Sequence, residues 1–432
     1  MLLACIADDF TGATDLANNL VRAGLRTLQT IGVPVDVSAA LAIAQYDAIV
    51  VALKTRTIPV QDAIDQSLAA LTWLQRCGAT QIYFKYCSTF DSTPAGNIGP
   101  VTEALMDALD CDFTIACPAF PENGRSVFRG YLFVGDELLS ESGMRDHPLT
   151  PMCDANLVRV LQAQTKRKVG LIPYDCVAQG AVAIHERIAA LKAEGVSIAI
   201  VDAVSDSDLL ALGPALRQMP LITAGSGVAI GLAKNYLENI SPVLQVQQQR
   251  LPRHGGLRAI LAGSCSIATN AQVSYWQASG GAAYEIDVLA LATDALNVDG
   301  VMRWALTELM QAPILIYATT DAQRLAQIQD QLGASHAGAL VEQTMAKLAQ
   351  LLVAAGVTQL VVAGGETAGA VVQALGIQAL QIGPQIDPGV PWTAVVGGPG
   401  LLLALKSGNF GTKDFFTKCF TQLDYYERNT IT

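Results

Sequence analysis

Short apolar runs alternate with stretches of helical periodicity along nearly the whole chain, and this alternation constrains the fold more than any other feature. In the first half the runs are residues 2–7, 48–53, 81–86, 113–117, 169–172, 197–202 and 221–224. Helix-like segments such as 62–76 and 181–193 lie between several of them. Such a rhythm reads as α/β, with a mainly parallel sheet flanked by helices. Residues 125–152 break it, and "GRSVFRGYLFVGDELLSESG" reads as a hairpin or an irregular insertion.

At 432 residues the chain is too long for one comfortable core, so two domains are expected. Composition shifts at "SPVLQVQQQRLPRHGG", residues 241–256, where Gln, Pro, Arg and Gly crowd together. This stretch reads as a linker between a domain over 1–240 and another over 257–432. The second half restarts with an apolar run at 257–262, followed by 283–288, 314–318, 360–363, 379–382 and 393–396. The expectation is two domains, each a mainly parallel sheet flanked by helices, with the active site in the cleft between them.

Composition excludes several classes. With 51% hydrophobic and 15% charged residues the chain can bury large cores and is not disordered. Net charge is −11 and no basic run is present, so nucleic acid and anionic membranes are poor partners. Two uncharged stretches, 367–386 and 388–405, are long enough to test for a membrane span, but Gln, Gly and Pro interrupt them. The opening "MLLACIADDF" lacks a basic region and meets acids at position 8, unlike a signal peptide. Nine Cys without CxxC spacing and only four His suggest neither a disulfide framework nor a zinc site. Buried thiols in a reducing cytoplasm are expected.

In open α/β sheets, ligands sit beyond the carboxyl ends of strands. The first run ends in Asp8 and Asp9, and "KTRTIP" after the second supplies Lys54 and Arg56. The third runs into "KYCSTFDSTPAGNIGP", which carries Lys85, Asp91, Ser92, Thr93 and Asn97 ahead of a helix opened by Pro100. The fourth leads into "PAFPENGR", with Asn123, Gly124 and Arg125. Cations at three strand ends, paired acids at another, and hydroxyls with an amide on the loops suit a small polyhydroxylated anion. Asp side chains accept hydrogen bonds from hydroxyls, and one of the pair suits a general base. The plainer alternatives are helix N-terminal acids for Asp8 and Asp9 and surface ion pairs for Arg56 or Lys85. A D-x-D-x-T phosphatase motif fails, because Phe10 stands where the second acid is needed.

The second half carries three Gly-rich turns between an apolar run and a helix or loop. They are "LAGSCSIATNAQ" at 261–272, "LVVAGGETAGAVVQALG" at 360–376 and "VVGGPGLLLALKSGNFG" at 395–411. Glycine lets phosphate approach backbone N–H groups, and a helix N-terminus favours negative charge. Each turn alone also fits a tight β–α connection; together they suggest a mononucleotide cradle without a Walker lysine. Lys406 and Lys413 can approach phosphates, although surface roles fit them at least as well.

The strings "DDFTGATDLANNL", "KTRT", "KYCSTFDST", "CPAFPENGR", "GSCS", "GGETAGAV" and "GGPGLLLALKSGNFG" together resemble the four-carbon acid sugar kinases, over nearly the whole chain. The resemblance implies an acid-sugar site in the N-terminal domain, with Asp8, Asp9, Arg56, Lys85, Asp91, Ser92, Asn123 and Arg125 as candidates. It implies ATP in the C-terminal domain, at Ser264, Ser266, Gly364, Gly365, Glu366, Thr367 and Gly408. "FDSTPAGNIGP" and "HPLTPM" point to the branch that phosphorylates the 4-hydroxyl of a 3-oxo-tetronate; threonate or erythronate is the alternative substrate. A Mg²⁺ bridging the ATP phosphates is expected, with Asp8, Asp9 or Glu366 contributing through water. Asp8 or Asp9 is the expected base, Arg and Lys hold the carboxylate, and closure of the domains would exclude water. A non-catalytic sugar-acid sensor is the remote alternative, and Gly/Ala-rich apolar helices make a homodimer plausible.

Overall fold

The computed structural model describes residues 2–34, 46–147, 150–237, 251–252, 255–293, 296–398 and 400–429. The chain divides into two compact units, Met1–Gln248 and Gln249–Thr432. Of the expected linker 241–256, residues 241–250, 253 and 254 lie outside the described residues.

The first unit contains strands β1 (Leu2–Ala7), β2 (Thr27–Ile31), β3 (Ala48–Ala52), β4 (Ala79–Lys85) and β5 (Thr114–Cys117). A small insertion follows, β6 (Arg125–Phe128), β7 (Tyr131–Val134) and β8 (Glu137–Leu138), and then β9 (Val169–Ile172), β10 (Ile198–Val201) and β11 (Leu221–Ala224). The main sheet runs β2-β3-β1-β4-β11-β5-β10-β9. Every neighbouring pair in it is parallel. All six residues of β1 are buried, as expected of a central strand covered on both faces. The region that breaks the rhythm is the antiparallel sheet β6-β7-β8. Its first hairpin turns on Arg129 and Gly130, both at positive φ, and the Asp202 carboxylate accepts from both turn amides at 2.7 and 2.8 Å.

The second unit contains β12 (Leu257–Ala262), β13 (Ala282–Glu285), β14 (Ile314–Tyr317), β15 (Val357–Ala363), β16 (Ala379–Asp387), β17 (Val390–Val395) and β18 (Leu402–Lys406). Its sheet runs β13-β14-β12-β15-β18-β17-β16. The first five strands are parallel, and β17 and β16 extend the sheet antiparallel. A buried apolar cluster around Trp392, Phe415, Phe416 and Phe420 packs the C-terminal helix Phe415–Asn429 onto this sheet.

Three readings change. The run 283–288 is a shorter strand, because Asp287 caps a helix Val288–Ala292 with its carboxylate on the amides of Leu289 and Ala290. β2, with polar Thr and Gln inside it, and β18, hidden in the third Gly-rich string, were not anticipated as strands. Among the described residues no helix is long and apolar enough to cross a membrane, and all nine cysteines are free thiols.

Candidate active site

Five strand ends stand side by side in the first unit. Register pairs Ala52 with Ala7, Ala7 with Lys85, Lys85 with Ala224, and Ala224 with Cys117. The loops after β3, β1, β4, β11 and β5 therefore leave the sheet at one level. Four of these loops carry the acid-sugar candidates.

The acid pair is held by Arg56. Its Nε and Nη2 donate to the two oxygens of Asp8 at 3.0 and 2.8 Å, a bidentate fork, and Nη2 also reaches Asp9 Oδ1 at 2.7 Å. Nη1 lies 3.7 Å from Asp91 Oδ2. The Thr55 and Arg56 amides donate to the Asp8 carbonyl, which fixes the loop that carries the guanidinium. Asp9 is also the N-cap of the helix Phe10–Arg22, accepting from Gly12 N at 3.1 Å and Thr11 Oγ1 at 2.8 Å. Lys85 is 3% exposed, and its ammonium lies 3.8 Å from Asp9 Oδ1.

These contacts split the pair. Burial pushes the Asp8 carboxyl up, and Arg56 only partly offsets it. Burial acts on Asp9 in the same sense, but Arg56, Lys85, the Thr11 hydroxyl and the Gly12 amide hold it down at about 2. Arg56 and Lys85 are thus engaged with the chain's own acids, where the sequence suggested carboxylate holders or surface ion pairs.

Other candidates stabilise the loops. Ser92 Oγ donates to Gln164 Oε1 at 3.0 Å, and the same oxygen accepts from Gly99 N at 3.0 Å. Asn97 Nδ2 donates to the carbonyls of Thr55 and Ile58 at 2.8 and 2.9 Å, pinning the Arg56 loop. Asp91 accepts from Thr89 Oγ1 at 2.6 Å. Asp8, Arg56, Asp91 and Ser92 come together around a cavity of about 10 Å³, room for one water.

Asn123 and Arg125 are different. Asn123 Nδ2 and Arg125 Nε are buried without a hydrogen-bond partner. Burial lowers the Arg125 guanidinium, opposed by Cys87, Asp91 and Asp15. Two buried unmatched donors on one loop suit an anionic or carbonyl oxygen. Asp15 and Ser226 were missed by sequence reasoning. Asp15 is 3% exposed, accepts from Ser226 Oγ at 2.5 Å through Oδ2, and leaves Oδ1 unmatched. Helical spacing places Asp15 one turn beyond Thr11 and Gly12, and that was the available signal.

In the second unit, register pairs Ala262 with Ala363 and Ala363 with Lys406, so the three glycine-rich turns meet at neighbouring strand ends. Ser266 caps the helix Ile267–Ala278 through Thr269 N at 3.2 Å and donates to the Gly408 carbonyl at 2.6 Å. Gly364 sits at φ +125°, and a Cβ there would come 3.2 Å from Ser264 N. Gly365, Glu366 and Thr367 form the first turn of the helix Gly365–Ala374; Thr367 is buried and Glu366 exposed. A Cβ on Gly408 would lie 2.3 Å from Ser264 Oγ. Ser264, Ser266, the 364–367 turn and Gly408 are therefore brought together as one small-residue surface. Lys406 is not a surface residue. It is fully buried, and Nζ donates to Thr269 Oγ1 and the carbonyls of Ser407, Gly408 and Phe410 at 2.9–3.1 Å. It organises the turn from beneath. Among the described residues no group of three or more His, Cys, Asp and Glu is arranged to hold a metal ion.

A charged, donor-rich site on one α/β unit and a glycine-rich cradle on the other define a two-domain protein for a small acid and a nucleotide. Residues 3–232 match a model described as a sugar-binding N-terminal domain, and residues 259–416 match a nucleotide-binding C-terminal domain. A Cupriavidus necator relative named 3-oxo-tetronate kinase is 58% identical over 98% of this chain and 97% of its own. One from Brucella melitensis with the same name is 48% identical over 96% and 94%. A Salmonella typhimurium crystal structure superposes with a TM-score of 0.83 at 44% identity, covering 97% of this chain and 99% of its own. The chain belongs to the four-carbon acid sugar kinase family, alongside the 3-oxo-tetronate kinases.

Proposed function

We propose that the protein transfers the γ-phosphoryl group of ATP to the 4-hydroxyl of a 3-oxo-tetronate. The observation that carries this reading is the 58% identity, over almost all of both chains, to a relative named 3-oxo-tetronate kinase. The first unit binds the sugar acid and the second binds ATP, in keeping with the sugar-binding and nucleotide-binding models they match. Asn123 Nδ2 and Arg125 Nε receive the oxygens of the carboxylate and the 3-oxo group. A ketone only accepts hydrogen bonds, so unmatched donors suit it.

Asp8 is the better base of the acid pair. Asp9, held at about 2 and engaged by Arg56, Thr11 and Gly12, is a weak proton acceptor and serves as an anchor. Burial raises Asp8, which makes it the stronger proton acceptor of the two for the hydroxyl as phosphoryl transfer proceeds. The glycine turns supply backbone N–H groups to the phosphates. The acid pair is engaged with Arg56, so a Mg²⁺ carried in on ATP would be held by Glu366, exposed in the first turn of its helix, through water. When bound, it neutralises phosphate charge. The free thiols fit a reducing cytoplasm.

An ADP-release assay with ATP, 3-oxo-tetronate made in situ, and the threonates and erythronates tests the reading. Turnover of the 3-oxo acid alone is expected; turnover of a plain tetronate instead overturns the substrate, and no turnover overturns the activity. Asp8→Asn is expected to lower kcat on the order of 10²- to 10⁴-fold with KM within a few-fold. A near-wild-type kcat would remove Asp8 as the base.

A further inference from the structure

One buried acceptor close to these strand ends is not used by the proposed reaction. β11 lies between β4 and β5 in the sheet, so its loop stands between the strand end that carries Lys85 and the one that leads to Asn123 and Arg125. That loop presents Ser226, whose hydroxyl donates to Asp15 Oδ2 and whose carbonyl accepts from Asn19 Nδ2 at 3.2 Å. Asp15 reaches the same gap from the helix Phe10–Arg22. It follows Gly12 by three positions and Thr11 by four, so all three share one helix face. A Cβ on Gly12 would lie 2.0 Å from Lys85 Nζ, so the ammonium rests on the first turn of that face. Asp15 is 3% exposed and its Oδ1 has no partner. A buried, half-satisfied carboxylate is costly unless a ligand completes it.

We propose that Asp15 Oδ1 accepts the hydrogen bond of the substrate's C2 hydroxyl and makes the site selective for α-hydroxy carboxylates. This rests on the acid-sugar reading of the pocket. An α-hydroxy acid offers one donor, its hydroxyl, beside two acceptor oxygens. The protein offers the reciprocal set on neighbouring strand ends: the Asp15 acceptor held at the loop after β11, and the unmatched Asn123 Nδ2 and Arg125 Nε donors after β5. Ser226 holds one oxygen of Asp15, so the other is oriented before the substrate arrives. The charged and titratable groups facing Asp15 are Lys85 and Tyr83 from β4, Asp9 at the helix start, and Arg125 from β6. Lys85 and Arg125 favour its ionised, accepting form.

The test pairs a variant with a ligand that lacks the group read. Wild type, Asp15→Ala and Asp15→Asn are compared on 3-oxo-tetronate and on its 2-deoxy analogue, 4-hydroxy-3-oxobutanoate. Binding of erythronate, threonate and 3,4-dihydroxybutanoate is measured by calorimetry in parallel. Asp15→Ala is expected to weaken the 2-hydroxy acids on the order of 10- to 100-fold while changing the 2-deoxy acids less than about two-fold. Asp15→Asn, which keeps a neutral acceptor, falls between. Equal losses on both ligand classes, or no loss on either, overturn the proposal, as does wild type that binds no 2-hydroxy acid. Thermal melts of each variant separate misfolding from lost recognition. Wild type that binds tetronates but does not phosphorylate the 3-oxo acid overturns the kinase substrate alone, and calorimetry still decides Asp15.

Discussion

Arg56 decides whether two adjacent carboxylates can end a buried strand. Asp8 and Asp9 side chains are 7% and 19% exposed, and a guanidinium that is itself 21% exposed lies against both. Removing the cation leaves the acids facing each other and Asp91 out of water, which is costlier than never having had the pair. Arg56→Ala is expected to destabilise the protein by about 3–5 kcal/mol, read as a lower urea midpoint at constant m-value. Arg56→Lys should recover less than half of that, because an ammonium cannot reproduce the fork on Asp8. A wild-type midpoint for Arg56→Ala would mean that Lys85 alone neutralises the acids. The sequence already placed Asp8, Asp9, Arg56 and Lys85 at one strand-end level. It did not show that the cations would bind the acids, because that depends on how far each side chain reaches across neighbouring strands.

At the scale of elements, the glycine turns work as a set because a strand beneath them is short and its last residue is a lysine. β18 ends at Lys406, whose ammonium gathers the carbonyls of Ser407, Gly408 and Phe410, while Ser266 and Thr269 donate to Gly408 O from the neighbouring helix. The turn is thereby fixed by the chain's own groups. Gly408→Ala drives a methyl to within 2.3 Å of Ser264 Oγ and 3.1 Å of Ser266 Oγ. It is expected to raise KM for ATP at least about ten-fold, the size of losing one good contact, with KM for the sugar acid unchanged. Ser266→Ala removes a helix cap and a carbonyl partner, and should cost about 1–2 kcal/mol of stability with a smaller rise in KM for ATP. Steady-state kinetics with each substrate varied separate the two effects; a rise in both KM values would mean general loosening. The turns themselves were legible as Gly-rich strings. Their pin was not, because a lone lysine in a loop-like string gives no sign of full burial until β18 is recognised as a strand.

For the whole molecule, the α/β alternation was readable because it depends on local periodicity. Strand order was not readable, and the insertion of β11 between β4 and β5 is what sets Ser226 against Asp15. That insertion has a thermodynamic consequence for the entire fold. Burial raises the Asp15 carboxyl from an ordinary 3.8 to about 6, with Lys85 and the Ser226 hydroxyl opposing. A carboxyl raised on folding binds more protons in the native state than in the unfolded chain between those two values. Its contribution to stability is therefore full below about pH 4 and is lost as pH rises through 6. At pH 7.5 the ionised group costs up to roughly 3 kcal/mol relative to its protonated form. Asp15→Asn removes the charge and keeps the shape. It is expected to raise the stability of the ligand-free protein at pH 7.5 by about 1–3 kcal/mol, and the gain should shrink steadily between pH 6 and 4. Urea denaturation of both proteins across that range decides the point. A gain that is absent, or constant with pH, would mean that the ionised Asp15 is not what costs stability in the free protein, whereas a gain that vanishes on acidification marks a buried charge that the free protein leaves uncompensated.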